Sequence, residues 1–438
     1  MEMLPLGEEA GGTDVSFFRR PLGWFAGNNF SSDFWIYFSA TFFFDAGFCI
    51  FFFLFNLYLL DLHFNEQTMG LIGGAITLGS VLATLPAGVL VKKIGVRPML
   101  IFCNTAAPLI CVVRAIWMWL PAQFGMAFLS GAVLSAGGVC YLTTVARLTS
   151  EKNRTAAFSL VLSASLGTSA LGGIVCGYLP KWLASAGSSM RPAEIKQLIL
   201  LLSCGVALLG VFPILRLRIP SVRGEDNAEE STGDMRFWRW RPSPFLMRYL
   251  PMMSLWSMVL ASFTPFANVY LATHLHVPMV RIGVIFSVAQ ILQLCMGLMT
   301  PLVFRWLGVV RGIVTIQATT GVVLCALALA HDARLAIVLY LVFSAVQWMG
   351  SPGLYNLLMS RTPDSERGTA AAMTLFCSAV VSSAATAGSG ALFTRVGYQP
   401  VLLGIAALAV AVALVMRFVV LPQPGEMAAL MPIEKAQV

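Results

Sequence analysis

The sequence TMGLIGGAITLGSVLATLPAGVLV at residues 68–91, followed directly by KKIGVR at 92–97, decides the fold. The first part contains no charged residue, and a helix needs roughly 20 apolar residues to cross the hydrocarbon core of a bilayer. The second part places basic residues at the end of that helix. Because Lys and Arg concentrate on the cytoplasmic side of membrane proteins, the pattern predicts a span that ends in the cytoplasm.

Similar apolar runs occur along the whole chain. The protein has 438 residues, 58% hydrophobic and 11% charged, whereas a soluble domain has about 25% charged residues. The runs are too long and too evenly apolar for the strands of a β-barrel. We therefore predict an all-α membrane protein with twelve transmembrane helices, spans 1 to 12, at residues 33–60, 68–91, 98–118, 123–146, 155–183, 197–216, 247–273, 281–304, 309–331, 335–359, 369–394 and 399–421.

The basic residues indicate how these spans are oriented. Most of the 28 Lys and Arg residues fall in segments on the side of the membrane that carries the N-terminus. This asymmetry predicts a multi-pass protein of the plasma (inner) membrane with both termini in the cytoplasm. It also explains the net charge of +8 without a nucleic-acid partner. We expect a monomer surrounded by membrane lipids.

The two halves of the chain repeat one pattern. The offset is 213 residues for His63 with His276 and for Gly95 with Gly308, and one residue less in span 1, where Asn56 matches Asn268. A single offset across several spans predicts two pseudo-symmetric six-helix bundles related by an axis along the membrane normal. The domains expected are a cytoplasmic or interfacial segment at 1–32, an N-terminal bundle at 33–216, a cytoplasmic linker at 217–246, a C-terminal bundle at 247–422 and a cytoplasmic tail at 423–438.

Two short motifs resemble signatures of a known family. Gly88-Val-Leu-Val-Lys-Lys-Ile-Gly-Val-Arg97 resembles the loop 2–3 motif of the major facilitator superfamily, Gly-x-Leu-x-Asp-Arg-x-Gly-Arg-Arg. Thr362-Pro-Asp-Ser-Glu-Arg-Gly-Thr-Ala370 looks like the family's loop 10–11 pattern. With the repeat, the resemblance covers residues 33–421 and implies two bundles that rock about a central cavity. The motifs identify neither a subfamily nor a substrate.

The resemblance also implies a cytoplasmic gate, with one departure. The position that is acidic in the family is Lys92 here. The repeat aligns Lys92 with Arg305, and Glu151 with Asp364. We therefore predict two symmetric ion pairs, each contributing about 0–1 kcal/mol; alternatively, these residues are solvated charges that only set the orientation. The pairs are Lys92 with Asp364 or Glu366, and Arg305 with Glu151; the other gate residues expected are Gly88, Gly95, Arg97, Arg154 and Arg367.

Asp45 is the acidic residue nearest the middle of a span. A charged carboxylate at that depth costs roughly 2.5–3.5 kcal/mol on insertion scales, so it is a functional candidate by default. We predict that Asp45 binds and releases the proton that couples transport. The alternative is a carboxylate that holds helices together, with Arg114 as its possible ion-pair partner. Arg114 lies near the outer end of span 3, where its side chain could also extend to the membrane surface.

Polar residues in four spans predict a substrate cavity. Asp45, Cys49, Phe52 and Asn56 share one face of span 1 because they are spaced by about one helical turn. The resemblance implies that spans 1, 4, 7 and 10 line the cavity, flanked by 2, 5, 8 and 11. The alternative for each residue is an interhelical hydrogen bond, typically about 0.6 kcal/mol. The further cavity residues predicted are Asn268, Gln290, Gln293, Gln347, Trp348, Ser351, Tyr355 and Asn356.

Two other features concern packing. Phenylalanines surround span 1, so we expect most of them to face lipid or neighbouring helices, with an aromatic substrate wall as the alternative. Small residues at 167–173 in span 5 and at 382–390 in span 11 predict close helix contacts.

These features favour a secondary active transporter that moves a small organic solute by alternating access, driven by protons. No ATP-binding loop, no Cys-x-x-Cys and no His-Glu-x-x-His motif occurs, and His274-x-His276 alone is a weak metal signal, so we predict no cofactor, no metal site and no enzyme activity. Three alternatives stay open. The protein could be a transporter-fold receptor that binds solute without net transport, a drug or metabolite exporter, or a membrane-embedded enzyme.

Overall fold

The computed structural model describes residues 30–185, 190–219, 243–362 and 367–420. Within these ranges it contains helices and no β-strand, and twelve helical spans are long and apolar enough to cross a membrane. The predicted all-α fold with twelve spans is confirmed. The helices are α1 Ser32–Asp61, α2 Glu66–Ile94, α3 Val96–Ile116, α4 Leu120–Leu148, α5 Glu151–Ser185, α6 Pro192–Arg216, α7 Pro244–Thr273, α8 Met279–Leu307, α9 Val309–Leu329, α10 Ala333–Arg361, α11 Arg367–Val396 and α12 Tyr398–Val415, which continues as the π-helical turn Met416–Val420.

Several helices begin before the apolar run that predicted them, because polar residues cap their first turns. The Asn65 side chain accepts a hydrogen bond from the Thr68 backbone N–H at 3.0 Å, so α2 starts at Glu66. Ser243 caps α7 in the same way through the Leu246 N–H. Capping side chains satisfy backbone donors that the first turn leaves unpaired, and hydropathy does not detect them.

The backbone repeats the sequence offset of 213 residues. Among the described residues, the non-glycine residues with positive φ are His63 at 61° and His276 at 49°, in the turns after α1 and α7. Gly95 and Gly308, between α2 and α3 and between α8 and α9, have φ of 96° and 75°. Equivalent turns therefore have equivalent geometry. We call the membrane side with the first pair of turns the His63 end, and the opposite side the Gly95 end.

Helix packing follows the same repeat. In the N-terminal bundle, α2 packs on α4, and α1 packs on α5 and α6. In the C-terminal bundle, α8 packs on α10, and α7 packs on α11 and α12. Two symmetric contacts, α2 with α11 and α5 with α8, join the bundles. The predicted pair of pseudo-symmetric six-helix bundles is confirmed. Residues 1–29, 220–242 and 421–438, which include most of the predicted terminal segments and linker, lie outside the described residues.

The two contacts between the bundles are close because glycines occupy the crossing points. A Cβ atom on Gly283 of α8 would overlap the carbonyl oxygen of Gly173 and lie 2.9 Å from the Cα atom of Gly177, both in α5. A Cβ atom on Gly70 of α2 would lie 2.6 Å from the Thr386 carbonyl oxygen of α11. Backbones can approach this closely only without side chains. The close packing predicted for 167–173 and 382–390 is confirmed.

The hydrogen bonds that join described residues of the two bundles lie in the half of the molecule nearer the His63 end. The Ser383 hydroxyl donates to the Gly74 carbonyl oxygen at 2.7 Å, between α11 and α2. Nearer the surface, the Tyr398 hydroxyl donates to the Glu66 carboxylate at 3.2 Å. In the other half, α2, α5, α8 and α11 present large exposed side chains, among them Leu82, Leu162, Leu298 and Leu375. The bundles are sealed at the His63 end.

Candidate functional site

A central cavity of about 450 Å³ lies between the bundles. Helices α1, α2 and α5 and the end of α3 form one wall, and α7 and α8 form the other. Ligand cavities in proteins typically range over about 300–1,000 Å³, so this space suits a small organic molecule. Its polar lining residues are Asp45, Cys49, Asn56, Arg114, Ser169, Thr264, Asn268 and Gln290. Its aromatic lining residues are Phe48, Phe52, Phe53, Phe55, Phe266 and Phe286.

A break in α7 shapes one wall of this cavity. Pro265 has no backbone N–H, and α7 tightens into a 3₁₀ turn over Thr264–Phe266. The Ala261 carbonyl oxygen, which a helical residue at position 265 would normally pair, accepts a hydrogen bond from the Thr386 hydroxyl at 3.2 Å. A proline in a helix requires such a replacement partner. The carbonyl oxygen that the break leaves free is therefore still hydrogen-bonded inside the membrane.

Two asparagines join the bundles beside this break. The Asn56 side-chain amide donates to the Pro265 carbonyl oxygen at 2.9 Å. The Asn268 side-chain amide donates to the Phe53 carbonyl oxygen at 2.9 Å. The two residues are repeat equivalents, so each bundle contributes one reciprocal bond across the interface. These bonds close the cavity on the side of the His63 end.

Asp45 lies between two cavities. It lines the central cavity and also a second cavity of about 360 Å³ inside the N-terminal bundle. The second cavity extends toward the Gly95 end, because its walls include Tyr37 near the start of α1 and Ile214 near the end of α6. Ser165 of α5 lines the second cavity together with Asp45. Asp45 thus borders both the central cavity and the second cavity.

Arg114 lines the central cavity near the end of α3, and its side chain is only 1% exposed. The prediction that it could extend to the membrane surface is wrong, because α1 covers this turn of α3. The guanidinium carbon lies 4.4 Å from the ring centre of Phe55 and 5.8 Å from that of Phe51. The Gln123 side-chain amide donates to the Arg114 carbonyl oxygen at 2.7 Å and holds the helix end in place.

The guanidinium is incompletely paired. Its Nε and Nη1 atoms are buried and have no hydrogen-bond partner within the described ranges. No ion pair joins Arg114 to Asp45 in that part of the chain, so the predicted pair is not formed in this conformation. Burying an ion costs several kcal/mol in real proteins, and a desolvated cation–π contact contributes about 2 kcal/mol. The aromatic rings therefore offset only part of that cost and provide no acceptor.

The predicted cavity residues divide into three groups. Asn56, Asn268 and Gln290 line the central cavity. Gln293 and Gln347 bond within the C-terminal bundle: Gln293 donates to the Ser344 hydroxyl at 2.7 Å, and Gln347 accepts from Thr264 at 3.4 Å. The third group lies on the half of α10 toward the Gly95 end, where Trp348 is 53% and Tyr355 40% exposed. This group comprises Trp348, Ser351, Tyr355 and Asn356.

The predicted gate is only partly described. The side chains of Lys92, Glu151 and Arg154, and residues Asp364 and Glu366, lie outside the described parts of the structure, so both gate pairs stay predictions. Arg305 is exposed at the end of α8, and Gly88 and Gly95 lie at the end of α2. Arg97 donates to the Leu215 carbonyl oxygen at 2.7 Å, and Arg367 to that of Met359 at 2.9 Å. These two arginines therefore bind carbonyl groups at the ends of α6 and α10.

Sequence reasoning missed the second cavity and underestimated the aromatic lining. Asn104, Tyr141 and Ser165 come from three different helices, one polar side chain each, and no spacing within a helix connects them. The phenylalanines of span 1 were expected mainly at lipid or helix contacts, yet several line the central cavity. Their presence on the Asp45–Asn56 face was the available signal.

Twelve helices in two repeated bundles, sealed at one end around a polar and aromatic cavity, define a multi-pass membrane protein with a transporter fold. The chain belongs to the Major Facilitator Superfamily, whose family model matches residues 37–386. The resemblance noted in the sequence is thereby confirmed. No curated protein sequence matches the chain.

Solved structures share this fold at low sequence identity. The nucleoside transporter NupG matches with a TM-score of 0.69 and 15% identity, over 88% of this chain and 98% of that chain. The xylose transporter XylE from E. coli, in an inward open conformation, matches with a TM-score of 0.68 and 13% identity, over 89% and 96%. A bacterial metal transporter matches with a TM-score of 0.64 and 17% identity, over 89% and 100%. The three solutes differ, so the likeness establishes the fold alone.

Proposed function

We propose that the protein is a proton-coupled secondary active transporter that moves a small organic solute across the plasma membrane by alternating access. The observation that carries the proposal is the position of Asp45 between the central cavity and the second cavity. The distribution of Lys and Arg favours cytoplasmic termini, and the chain is proposed to act as a monomer. In that orientation, the Gly95 end faces the cytoplasm and the bonds at the His63 end close the cavity to the outside.

Alternating access requires that the seal at the His63 end opens while the other end closes. The seal consists of two symmetric helix crossings, α2 with α11 and α5 with α8, and a few hydrogen bonds such as that from Tyr398 to Glu66. A rocking motion of one bundle against the other would break all of these contacts at the same time. In the opposite state, the proposed gate pairs of Lys92 with Asp364 or Glu366, and of Arg305 with Glu151, would hold the cytoplasmic end. Exposed pairs of about 0–1 kcal/mol each suit a nearly balanced equilibrium.

Asp45 has the surroundings that proton coupling requires. A carboxylate inside the membrane is costly to keep charged, so it tends to bind a proton when no cation is near. The second cavity offers a route for that proton toward the Gly95 end. The central cavity brings the same carboxylate next to the solute, so its charge can affect solute binding. Proton release and solute release can therefore be linked at one residue.

Transport in reconstituted vesicles tests the proposal. The purified protein is assayed with sugars, amino acids, carboxylates and lipophilic cations, with and without a pH gradient. We expect Asp45→Asn to abolish gradient-driven accumulation while leaving solute exchange intact. The matched control is Asp33→Asn on the same helix, because among the described residues the Asp33 side chain accepts one hydrogen bond, from the Arg218 backbone N–H at 3.2 Å. Accumulation that is unchanged in Asp45→Asn would contradict proton coupling at this residue.

The same assay separates the alternative functions. Solute binding without flux in either direction would favour a receptor. Solute accumulation that is driven by protons moving in the opposite direction to the solute would favour an exporter. Conversion of the solute to another compound would favour an enzyme.

A further inference from the structure

The central cavity contains a fixed positive charge that no described side chain neutralises. Arg114 is buried, lines the cavity and stacks on Phe55, yet its Nε and Nη1 atoms have no acceptor among the described residues. The carboxylate that shares the cavity, Asp45, does not pair with it. Buried arginines in proteins are usually paired with an anion or hydrogen-bonded. The guanidinium therefore lacks an acceptor, and a bound ligand can supply one.

We propose that Arg114 binds the carboxylate group of the transported solute, and that the substrates are organic monocarboxylates. This inference rests on the proposed transport function and names its substrate class. A guanidinium is planar and matches a carboxylate with two parallel hydrogen bonds. Doubly charged groups such as phosphate esters usually call for paired bases. Arg114 is the only Lys or Arg residue lining the central cavity within the described ranges, so a single negative charge fits best.

The rest of the cavity suits an apolar or aromatic body. Phe52, Phe53 and Phe286 also line this cavity. The side-chain amides of Asn56 and Asn268 each use one of their two N–H groups on a backbone carbonyl oxygen across the interface, which leaves fewer donors for a solute. Sugars and nucleosides need many hydrogen-bonding partners when they are buried. The lining therefore favours a carboxylate attached to a hydrocarbon or aromatic group.

The spacing on α1 allows the solute to lie between Arg114 and Asp45. Phe51 and Phe55, which the guanidinium contacts, follow Asp45 by six and ten residues. At 1.5 Å per residue, this is roughly 9–15 Å along the helix. The distance is too long for a direct ion pair and comparable to the length of an aromatic or short aliphatic acid. The two charged groups can therefore act on the same bound solute from opposite ends.

Matched acid and amide pairs test the substrate class directly. Benzoate with benzamide, phenylacetate with phenylacetamide, and hexanoate with hexanamide each differ mainly in charge at nearly constant shape. Binding is measured from the rise in unfolding temperature of the purified full-length protein at millimolar concentrations. We expect at least one acid to stabilise the wild-type protein and its amide not to. Equal effects of acid and amide, or no effect of any acid, would overturn the proposal.

Substitutions then assign the effect to this residue. We expect Arg114→Gln to weaken acid binding roughly 10- to 100-fold, because a hydrogen bond to a charged group is lost. Arg114→Lys keeps the charge and is expected to retain part of the binding. The control is Arg395→Gln, an exposed arginine at the His63 end, which is expected to bind like the wild type. Undiminished binding in Arg114→Gln overturns the assignment; if that variant does not fold, the acid and amide pairs on the wild type decide.

Flux measurements separate this inference from the transport function. Carboxylate binding that depends on Arg114 but produces no flux would support the anion site and contradict the transporter. Transport of neutral solutes that is unaffected by Arg114→Gln would support the transporter and contradict the anion site.

Discussion

Replacing Gly283 by alanine should open the seal at the His63 end. The added Cβ would overlap the Gly173 carbonyl oxygen and lie 2.9 Å from the Gly177 Cα atom, so α5 and α8 must move apart. Overpacking of this kind costs typically 1–3 kcal/mol. The helix propensity of alanine, about 1 kcal/mol better than that of glycine, acts equally on both conformations. The full cost therefore falls on the sealed state, which shifts the equilibrium toward the opposite state by about 5- to 150-fold.

A native thiol reports this shift. Cys49 lines the central cavity, with its Sγ atom 2.9 Å from the Ser169 hydroxyl oxygen. In a variant that keeps Cys49 as its only cysteine, a membrane-impermeant thiol reagent is applied from the side of the His63 end. We expect Gly283→Ala to increase the labelling rate by the factor above. Gly297→Ala, on the same helix, is the matched control, because apart from its own stretch of helix no described atom lies within 4 Å of the new Cβ. An unchanged rate in Gly283→Ala would refute the reasoning.

Three further predictions concern the seal, the proton and the gate. Glu66→Gln weakens the bond from Tyr398, so it should raise the same labelling rate roughly 2- to 10-fold; no increase would remove Glu66 from the seal. Lowering the pH should tighten carboxylate binding in the wild type but not in Asp45→Asn, because a proton on Asp45 removes a negative charge from the cavity; thermal shifts across the pH range measure this, and equal pH profiles would contradict it. Five other titratable side chains line the two cavities that Asp45 lines, namely Tyr37, Cys49, Cys103, Arg114 and Tyr141. Lys92→Asp should impair transport, and adding Asp364→Lys should restore part of it; a double variant no better than the single one would argue against that gate pair.

The spans and the repeat could be predicted because each leaves a direct signal in the sequence. Apolar length fixes each helix in a bilayer, and the 213-residue offset reappears in the backbone angles of His63 and Gly95 and their counterparts. Helix ends depended on caps such as Asn65, which hydropathy does not register. The closed end could not be predicted, because both conformations of such a fold use the same residues with similar local preferences.

The site was predictable where depth in the membrane decided the outcome. Asp45 and Asn56 follow from one helical face of span 1, and both line the central cavity. The burial of Arg114 did not follow, because it depends on how α1 crosses the end of α3 and places Phe51 and Phe55 over the guanidinium. The position of Gln293 also depended on a neighbouring helix, which supplies Ser344 as its partner. Contacts between distant segments decided both.

The two halves of the repeat contribute different kinds of residue to the central cavity. The repeat equivalent of Arg114 is Leu327, which is 1% exposed, and that of Asp45 is Ser257, whose hydroxyl donates to the Met253 carbonyl oxygen. Asp45 and Arg114, the charged residues that line the central cavity within the described ranges, therefore both come from the first copy, while the second offers aromatic and amide surface. Under selection for a new nutrient or waste product, the second copy could drift to fit other molecular shapes without rebuilding the ionic machinery of the first.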